Sequence, residues 1–191
     1  MKFTRIPEAT FQKLQLNAGI LCSAFDPSTG EVEESALLGA TSGGVSFKAI
    51  PTYSDFGENI DNAPVNVKEF KRLDSWEVTM SGSFITVDIN AAKLLIGAAD
   101  VDGNKVTPRA DLNSNDFKDI WWVGDYSDQN GDESGGYVAI HMMNGLNTGG
   151  FSVQSNNRGK GEFAFEFMGH YSIENQDVVP FEVYVKTGNE E

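Results

Sequence analysis

The stretch EFAFEFMGHYSI, residues 162–173, alternates between phenylalanines and small or charged residues over its first half. On an extended chain Phe163, Phe165 and Phe167 fall on one side, while Ala164 and Glu166 fall on the other. This period of two predicts a β-strand with one buried and one solvated face. The three phenylalanines are therefore expected to face a hydrophobic core.

The same period recurs along the chain and predicts further strands. In WEVTMSGSFITVDI the parity of the apolar residues changes across residues 81–83, which is typical of a bulge or a bend. Turns rich in Gly, Asn and Asp separate the segments, and the turn at residues 156–161 is expected to form a hairpin. We predict a mainly β fold, an antiparallel β-sandwich or barrel. The alternating apolar positions are Trp76, Val78 and Met80; Ile85, Val87 and Ile89; Val138, Ile140 and Met142; and Phe181, Val183 and Val185.

One segment has the pattern of a helix. In NAAKLLIGAAD, residues 90–100, Asn90 is a suitable N-cap, and Leu94 and Leu95 fall on one helical face. The turn DVDGN that follows ends the helix. A helix of about two to three turns needs tertiary packing to be stable. We therefore expect one short α-helix that flanks a sheet or an open end of the barrel.

Length and composition indicate one folded domain, residues 1–191. Apolar residues make up 40% of the chain and aromatic residues 11%, which excludes global disorder. There are 28 acidic and 14 basic residues, a net charge of −14, and such a surface repels the phosphate backbone of nucleic acids. The single cysteine, Cys22, cannot form an intrachain disulfide. No apolar run suits a signal peptide or a membrane span, so we expect synthesis in the cytoplasm.

The residue types that carry catalysis form no recognisable pattern. Neither His141 nor His170 lies near a G-x-S-x-G turn. Two acidic turns, DVDGN and DYSDQNGDE, lack the glycine and the glutamate that an EF-hand loop requires at fixed positions. The segment RGKG lacks the flanking residues of a phosphate-binding loop. We therefore predict a protein that is not an enzyme, with no catalytic residue, no metal ligand and no cofactor.

Two adjacent tryptophans, Trp121 and Trp122, lie in the strand-like segment DIWWVGDYS. Neighbouring residues of a strand point to opposite faces, so the two indoles cannot enter the same core. An indole that faces outward suits a subunit contact or stacking on a sugar ring. An alternative function is therefore a monomeric β-sandwich carbohydrate-binding module that uses Trp121 or Trp122.

The segment ATSGGVSFKAIPTYSDFGENIDNAP, Ala40–Pro64, combines loop-forming residues with large apolar ones. Loops of this length inside a compact domain are uncommon, and those that occur are often functional. We expect a long extended loop or hairpin whose apolar side chains bury against another molecule, or else fold back on their own domain. Those side chains are Val45, Phe47, Ile50, Tyr53, Phe56 and Ile60.

The order of these segments resembles the major tail protein, or tail tube protein, of bacteriophages with long, non-contractile tails. The resemblance covers roughly residues 14–185 and depends on a run of segments in order, since no single motif is diagnostic. The segments are LQLNAGILCSAFDPSTGE, GATSGGVSF, PTYSDFGENIDNAP, KRLDSWEVTMSGSF, AAKLLIGAAD, DFKDIWWVGDYSD, MNGLNTGGFSVQ, RGKGEFAFEFMGHYS and VPFEVYV.

The resemblance implies a β-sandwich with one flanking helix and a structural role in the tail of the virion. Copies would form hexameric rings that stack into a hollow tube, and DNA would pass through it into the host without specific binding. The implied partners are further copies of the chain, a tape-measure protein, and the tail terminator and distal tail proteins. The resemblance implies no catalytic residue, no cofactor and no membrane partner.

The resemblance also divides the chain into a tail-tube domain with three appendages. Residues 1–13 would form an N-terminal arm, residues 40–64 a long inter-subunit loop, and residues 186–191 a frayed C-terminal tail. Subunit contacts are expected at this loop and at the tryptophans. The predicted interface residues are Val45, Phe47, Ile50, Tyr53, Asp55, Phe56, Ile60, Trp121 and Trp122.

Overall fold

Strands account for most of the regular structure of the chain. The computed structural model describes residues 13–126 and 136–187, together with Ile6 and Thr10. Most of the predicted appendages at residues 1–13 and 186–191, and most of the acidic turn DYSDQNGDE, lie outside the described residues. The strands are β1 (Gln15–Cys22), β2 (Leu37–Gly39), β3 (Thr41–Asp55), β4 (Lys71–Phe84), β5 (Ala99–Asp102), β6 (Lys105–Pro108), β7 (Lys118–Tyr126), β8 (Tyr137–Asn147), β9 (Ser152–Gln154), β10 (Glu162–Gly169) and β11 (Phe181–Lys186).

Within the described residues the strands form one antiparallel sheet of nine strands and a separate pair, β5 with β6. The hydrogen-bonded order of the large sheet is β2-β1-β7-β8-β10-β4-β3, with β11 paired to β8 and β9 paired to β10. The first part of β8 pairs with β7 and β11, and its last residues, Leu146 and Asn147, pair with β10. The two halves of the sheet face each other across the main core without closing into a barrel. The predicted mainly β, antiparallel fold class is confirmed.

The phenylalanine face predicted at residues 162–173 lies in the main core. Phe165 and Phe167 of β10 are buried with their ring centroids 5.0 Å apart, and Phe84 of β4 packs on Phe165 at 4.6 Å. Full burial of one such side chain stabilises the fold by about 1.5–3 kcal/mol. The opposite half of the sheet completes the core with Leu21, Ile120 and Met142.

The strand β4 runs without interruption through the bend predicted at residues 81–83. Met80, Gly82 and Phe84 lie on one face, so the parity of the core residues does not change. A Cβ atom on Gly82 would lie 2.7 Å from Cζ of Phe165, so the absent side chain makes room for that ring. The predicted bulge is wrong, and so is the strand expected after it, because β4 ends at Phe84.

The helix α1 (Ile89–Ile96) begins earlier than the sequence pattern predicts. Its N-cap is Asp88, whose carboxylate accepts the N–H of Ala91 at 2.7 Å, so the predicted cap Asn90 lies inside the first turn. The helix ends at Gly97, whose φ of 80° suits glycine. Leu95 is buried in the main core, so α1 flanks the sandwich as predicted.

A second, smaller core lies on the outer face of the β1, β7 and β8 strands. Cys22, Trp121 and Ala139 project from these strands and are buried. The segment between β1 and β2 folds over them and contributes Phe25 and Ala36. Burial raises the pKa of the Cys22 thiol to about 11, so the thiol is protonated and unreactive near neutral pH.

Asn147, at the end of β8, connects three elements through its side-chain amide. Its Nδ2 donates to the carbonyl oxygens of Leu95 in α1 and of Gly150, and its Oδ1 accepts the N–H of Glu166 in β10 at 2.9 Å. The residue is only 7% exposed. A buried polar group that loses its partner costs about 1–3 kcal/mol, so these bonds fix α1 against both halves of the sheet.

We expect Asn147→Ala to lower the free energy of unfolding by about 2–4 kcal/mol, because the Leu95 carbonyl and the Glu166 N–H lose their partners. Urea unfolding followed by tryptophan fluorescence measures the change. Asn156→Ala, in an exposed turn, is the control and should change stability by less than about 0.5 kcal/mol. Equal losses in the two variants would contradict the role given to Asn147.

Candidate functional site

The segment Ala40–Pro64, predicted as a long loop or hairpin, is mostly strand. β3 occupies its first part and pairs with β4 from Thr41 to Asp55, so the hairpin is confirmed and the plain loop is wrong. Gly43 and Gly44, with φ of 78° and 83°, form a bulge in this ladder. The bulge adds two residues to β3, and this even number leaves Val45 and Phe47 on the same face of the strand as Thr41.

β3 lies at one end of the hydrogen-bonded order, and no strand in the described part of the chain pairs with its outer edge. This edge is 15 residues long and is a template for another chain.

Pro51 interrupts this free edge. Pro51 lies opposite Trp76 of β4, whose N–H points away from β3 to the hydroxyl oxygen of Tyr171 at 2.8 Å. Pro51 and Trp76 therefore form a non-hydrogen-bonded pair, in which the backbone N–H and C=O groups of each residue point away from the other strand. The position at which Pro51 lacks an N–H thus faces the free edge.

The distal part of the β3–β4 hairpin extends beyond the rest of the sheet. β4 pairs with β10 only from Val78 to Phe84. Residues 50–77 therefore form a two-stranded ribbon with its connecting segment, which we call the arm. An isolated two-stranded hairpin is at best marginally stable in water. Apart from Trp76 at its base, which packs on Phe181, the arm lacks the packing that a third strand would supply.

The arm exposes large apolar side chains to solvent. Ile50, Tyr53, Phe56 and Ile60 are 53%, 58%, 62% and 48% exposed. The arm therefore does not fold back on its own domain. Clustered apolar surface of this kind is typical of protein–protein contacts. These four predicted interface residues are available to a partner.

Val45 and Phe47, two further residues of the predicted interface, belong to the domain itself. Both are half-buried against the main core, and the ring of Phe47 lies 5.7 Å from that of Phe181 in β11. Trp76 packs on the same ring at 5.5 Å. We therefore leave Val45 and Phe47 out of the proposed interface.

Asp55 shapes the entry into the arm tip, residues 56–67. Its Oδ1 accepts the N–H of Gly57 at 2.9 Å, and its Oδ2 lies 3.1 Å from Nζ of Lys71. The hydrogen bond from Gly57 and the ammonium group of Lys71 lower the pKa of Asp55. Its carboxylate is therefore used within its own chain, and we assign Asp55 to the shape of the tip instead of to direct contact.

Trp121 and Trp122 lie on opposite faces of β7, as predicted, but their own chain engages both. Trp121 is 8% exposed; it packs on Phe25 and stacks on His141 with ring centroids 4.0 Å apart. Trp122 is half-buried against the main core, and its Nε1 donates to the carbonyl oxygen of Ala18 at 2.9 Å. The segment between β1 and β2 covers Trp121 on the outer face, and Trp122 packs against the main core on the other face, so neither indole stands free on the surface. We leave both out of the proposed interface.

The two histidines contact carboxylates and main chain. Nε2 of His141 lies 3.3 Å from Asp119, and its Nδ1 lies 3.8 Å from Glu182. Nδ1 of His170 lies 3.1 Å from the main-chain oxygen of Asn144. Within residues 13–126 and 136–187, no three His, Cys, Asp or Glu side chains are grouped so that they could hold a metal ion.

A cleft of about 400 Å³, which the sequence does not predict, opens beside β2. It lies between β2, the start of α1 and the start of β7, and its apolar lining includes Leu38, Leu94 and Ile120. Lys93 and Lys118 also line it. No local pattern could identify this cleft, because segments far apart in the chain form it.

We expect Asp55→Asn to loosen the arm tip near neutral pH, because a neutral amide attracts Lys71 less and accepts the Gly57 N–H more weakly. Since the pKa of Asp55 is lowered, its contribution is fully present above about pH 4 and is lost as the pH falls through the folded-state value. NMR relaxation of the Gly57 amide should differ between variant and wild type at neutral pH and converge in strong acid. Asp61→Asn is the control, and an equal effect there would remove the specific role of Asp55.

Comparisons with known proteins leave the function open. No model of a protein family matches the chain, and a search of curated proteins gives no significant match. In the part of the chain that the structure describes, no helix is long and apolar enough to cross a membrane. We therefore assign a function from the exposed surfaces of the chain and from its resemblance to tail tube proteins.

Proposed function

We propose that the chain is a structural virion protein whose copies form stacked hexameric rings, which make the hollow phage tail tube through which DNA passes into the host. The observation that carries the proposal is the arm, a two-stranded ribbon with an unpaired edge and exposed apolar side chains. The β-sandwich with a flanking helix agrees with the fold that the resemblance implies. The number of subunits, the passage of DNA and the place in the virion come from the resemblance.

Two open edges of the sheet suit a ring. β3 leaves one edge unpaired, and β11, which pairs only with β8 among the described strands, leaves another. Val183 and Val185 of β11 are 52% and 58% exposed. A head-to-tail contact between different surfaces closes into a ring when its rotation closes. Pairing edges between neighbours would satisfy their N–H and C=O groups and remove sites that invite aggregation.

The arm supplies apolar area for a contact between subunits. Burial of a large apolar side chain contributes about 1.5–3 kcal/mol when it starts fully exposed. Ile50, Tyr53 and Phe56 start a little more than half exposed, so together they contribute about 3–5 kcal/mol. Part of this offsets the cost of immobilising the side chains at the contact. Repetition of the contact in every subunit strengthens the assembly as a whole.

The net charge of −14 supports passage of DNA without binding. DNA affinity comes largely from Lys and Arg that displace counterions, and this chain has twice as many acidic as basic residues. Acidic residues that face the lumen would repel the phosphate backbone. The tape-measure protein would occupy the lumen during assembly, and the terminator and distal tail proteins would contact the ends of the tube.

The carbohydrate-binding alternative requires an indole with an open face. Trp121 is covered by Phe25 and His141, and Trp122 is bonded to the main chain of β1. No observation therefore favours that alternative over assembly.

We expect the purified chain to form tubes of constant width on concentration, visible by negative-stain electron microscopy. The triple variant Ile50→Ser, Tyr53→Ser, Phe56→Ser should keep its circular dichroism spectrum and form no tubes, because the arm loses its apolar surface. Val153→Ser is the matched control, since Val153 is 54% exposed in β9 away from the arm. A chain that stays monomeric at every concentration, or normal tubes from the triple variant, would refute the proposal.

A further inference from the structure

The cleft beside β2 combines an apolar lining with two lysines and three aspartates. Leu38, Leu94 and Ile120 line it, and the side chains of Lys93 and Lys118 stand among them. Neither lysine forms an ion pair within the described residues. The hydrogen bond from the Asn113 N–H is the main cause of the lowered pKa of Asp116, and the charge of Lys93 is the last of several smaller ones. In a chain with 28 acidic residues, the cleft thus holds two lysines without an ion-pair partner.

The acidic residues of the cleft are engaged by their own chain. Asp116 accepts two hydrogen bonds from Arg109, at 2.5 and 2.7 Å, and Asp88 caps α1. Oδ1 of Asp119 accepts the N–H of Asn144 at 3.1 Å. Arg109 balances the charge of Asp116, whereas Asp88 and Asp119 keep their charges and use an oxygen each within the chain. The lysines are the charged side chains of the cleft that form no ion pair or hydrogen bond in the described part of the chain, and they are left for a partner.

The arm tip, residues 56–67, carries the complementary chemistry. Glu58 and Asp61 are exposed and form no ion pair in the described part of the chain. Phe56, Ile60 and Val65 beside them are 62%, 48% and 88% exposed. The tip thus presents apolar side chains next to two unpaired acids, whereas the cleft presents apolar side chains next to two unpaired lysines.

The tip and the cleft lie at opposite ends of one extended run of chain. β2, which lines the cleft, leads directly into β3, and β3 leads into the tip. A strand of 15 residues spans roughly 45 Å, so the tip of one copy cannot enter its own cleft. A second copy stacked head to tail brings the two surfaces together. Such a contact between different surfaces repeats from copy to copy and propagates.

We propose that the cleft beside β2 is the acceptor for the arm tip of a second copy of the chain. The inference rests on the proposed function, because it names the surface on which the arm docks. Glu58 and Asp61 of the tip lie against Lys93 and Lys118 of the cleft, and the apolar side chains of the tip cover the apolar lining. This contact joins copies along the direction of β3.

Charge reversal tests the inference. The cleft variant Lys93→Glu, Lys118→Glu and the tip variant Glu58→Lys, Asp61→Lys each place like charges opposite one another. We expect each to raise the protein concentration needed for tube formation about tenfold at low salt, as measured by sedimentation and electron microscopy. The quadruple variant, with both surfaces reversed, should assemble near the wild-type concentration because complementarity is restored. Lys105→Glu, Lys160→Glu makes the same change of net charge as the cleft variant, at exposed lysines elsewhere, and is its control.

The outcomes separate this inference from the proposed function. Wild-type tubes together with cleft and tip variants that assemble normally would overturn the docking site and leave the tube proposal intact. The same follows if the quadruple variant fails like the two double variants while its circular dichroism shows a folded domain. Absence of wild-type tubes at every concentration would instead overturn the proposed function itself.

Discussion

β4 pairs with β10 on one side and with β3 on the other, and the two ladders differ in length. The rest of the structure depends on this difference. β10 covers β4 only from Val78 to Phe84, whereas β3 follows it along its whole length. The covered half buries its apolar face against the phenylalanines of β10, which anchors the hairpin in the core. In the uncovered half, Trp76 at its base packs on Phe181, and the remainder projects as the arm without a covering strand among the described residues. An ordered ribbon held by the core of the domain, and not a flexible loop, therefore presents the apolar side chains.

The parts of the fold that depend on local alternation can be predicted from the sequence. The period of two identifies the core face of β10, because alternate residues of a strand share a face, and Phe165 and Phe167 are both buried. The N-cap of α1 is predicted at Asn90 and this is wrong, because Asp88 is an equally suitable residue type and only the folded chain shows that its carboxylate reaches the free N–H. The strand expected at residues 85–89 failed because its alternation runs into the first turn of that helix.

The candidate site depends on tertiary packing and is only partly predictable. Phe47 and Tyr53 look alike in the sequence, yet Phe47 packs on Phe181 and Tyr53 is exposed, because β11 lies beneath one half of β3 only. The same limit applies to Trp121, since parity shows that it points outward but does not show that a distant segment covers it. The cleft has no local signature at all, because it exists only once distant segments meet.

Pro51 makes the free edge of β3 selective about what can pair with it. The missing N–H faces outward, so a carbonyl oxygen of an added strand placed opposite it would lose its hydrogen bond. The bulge at Gly43 and Gly44 limits the continuous ladder at the other end. In general, the register between two paired strands can shift by two residues at a time. Sliding does not avoid the proline, because every alignment that crosses Pro51 lacks this one hydrogen bond, although the carbonyl oxygen of Pro51 still faces the free edge as an acceptor. Unbroken ladders are therefore available only on either side of Pro51, and the proline limits the length of strand that can be added to this edge.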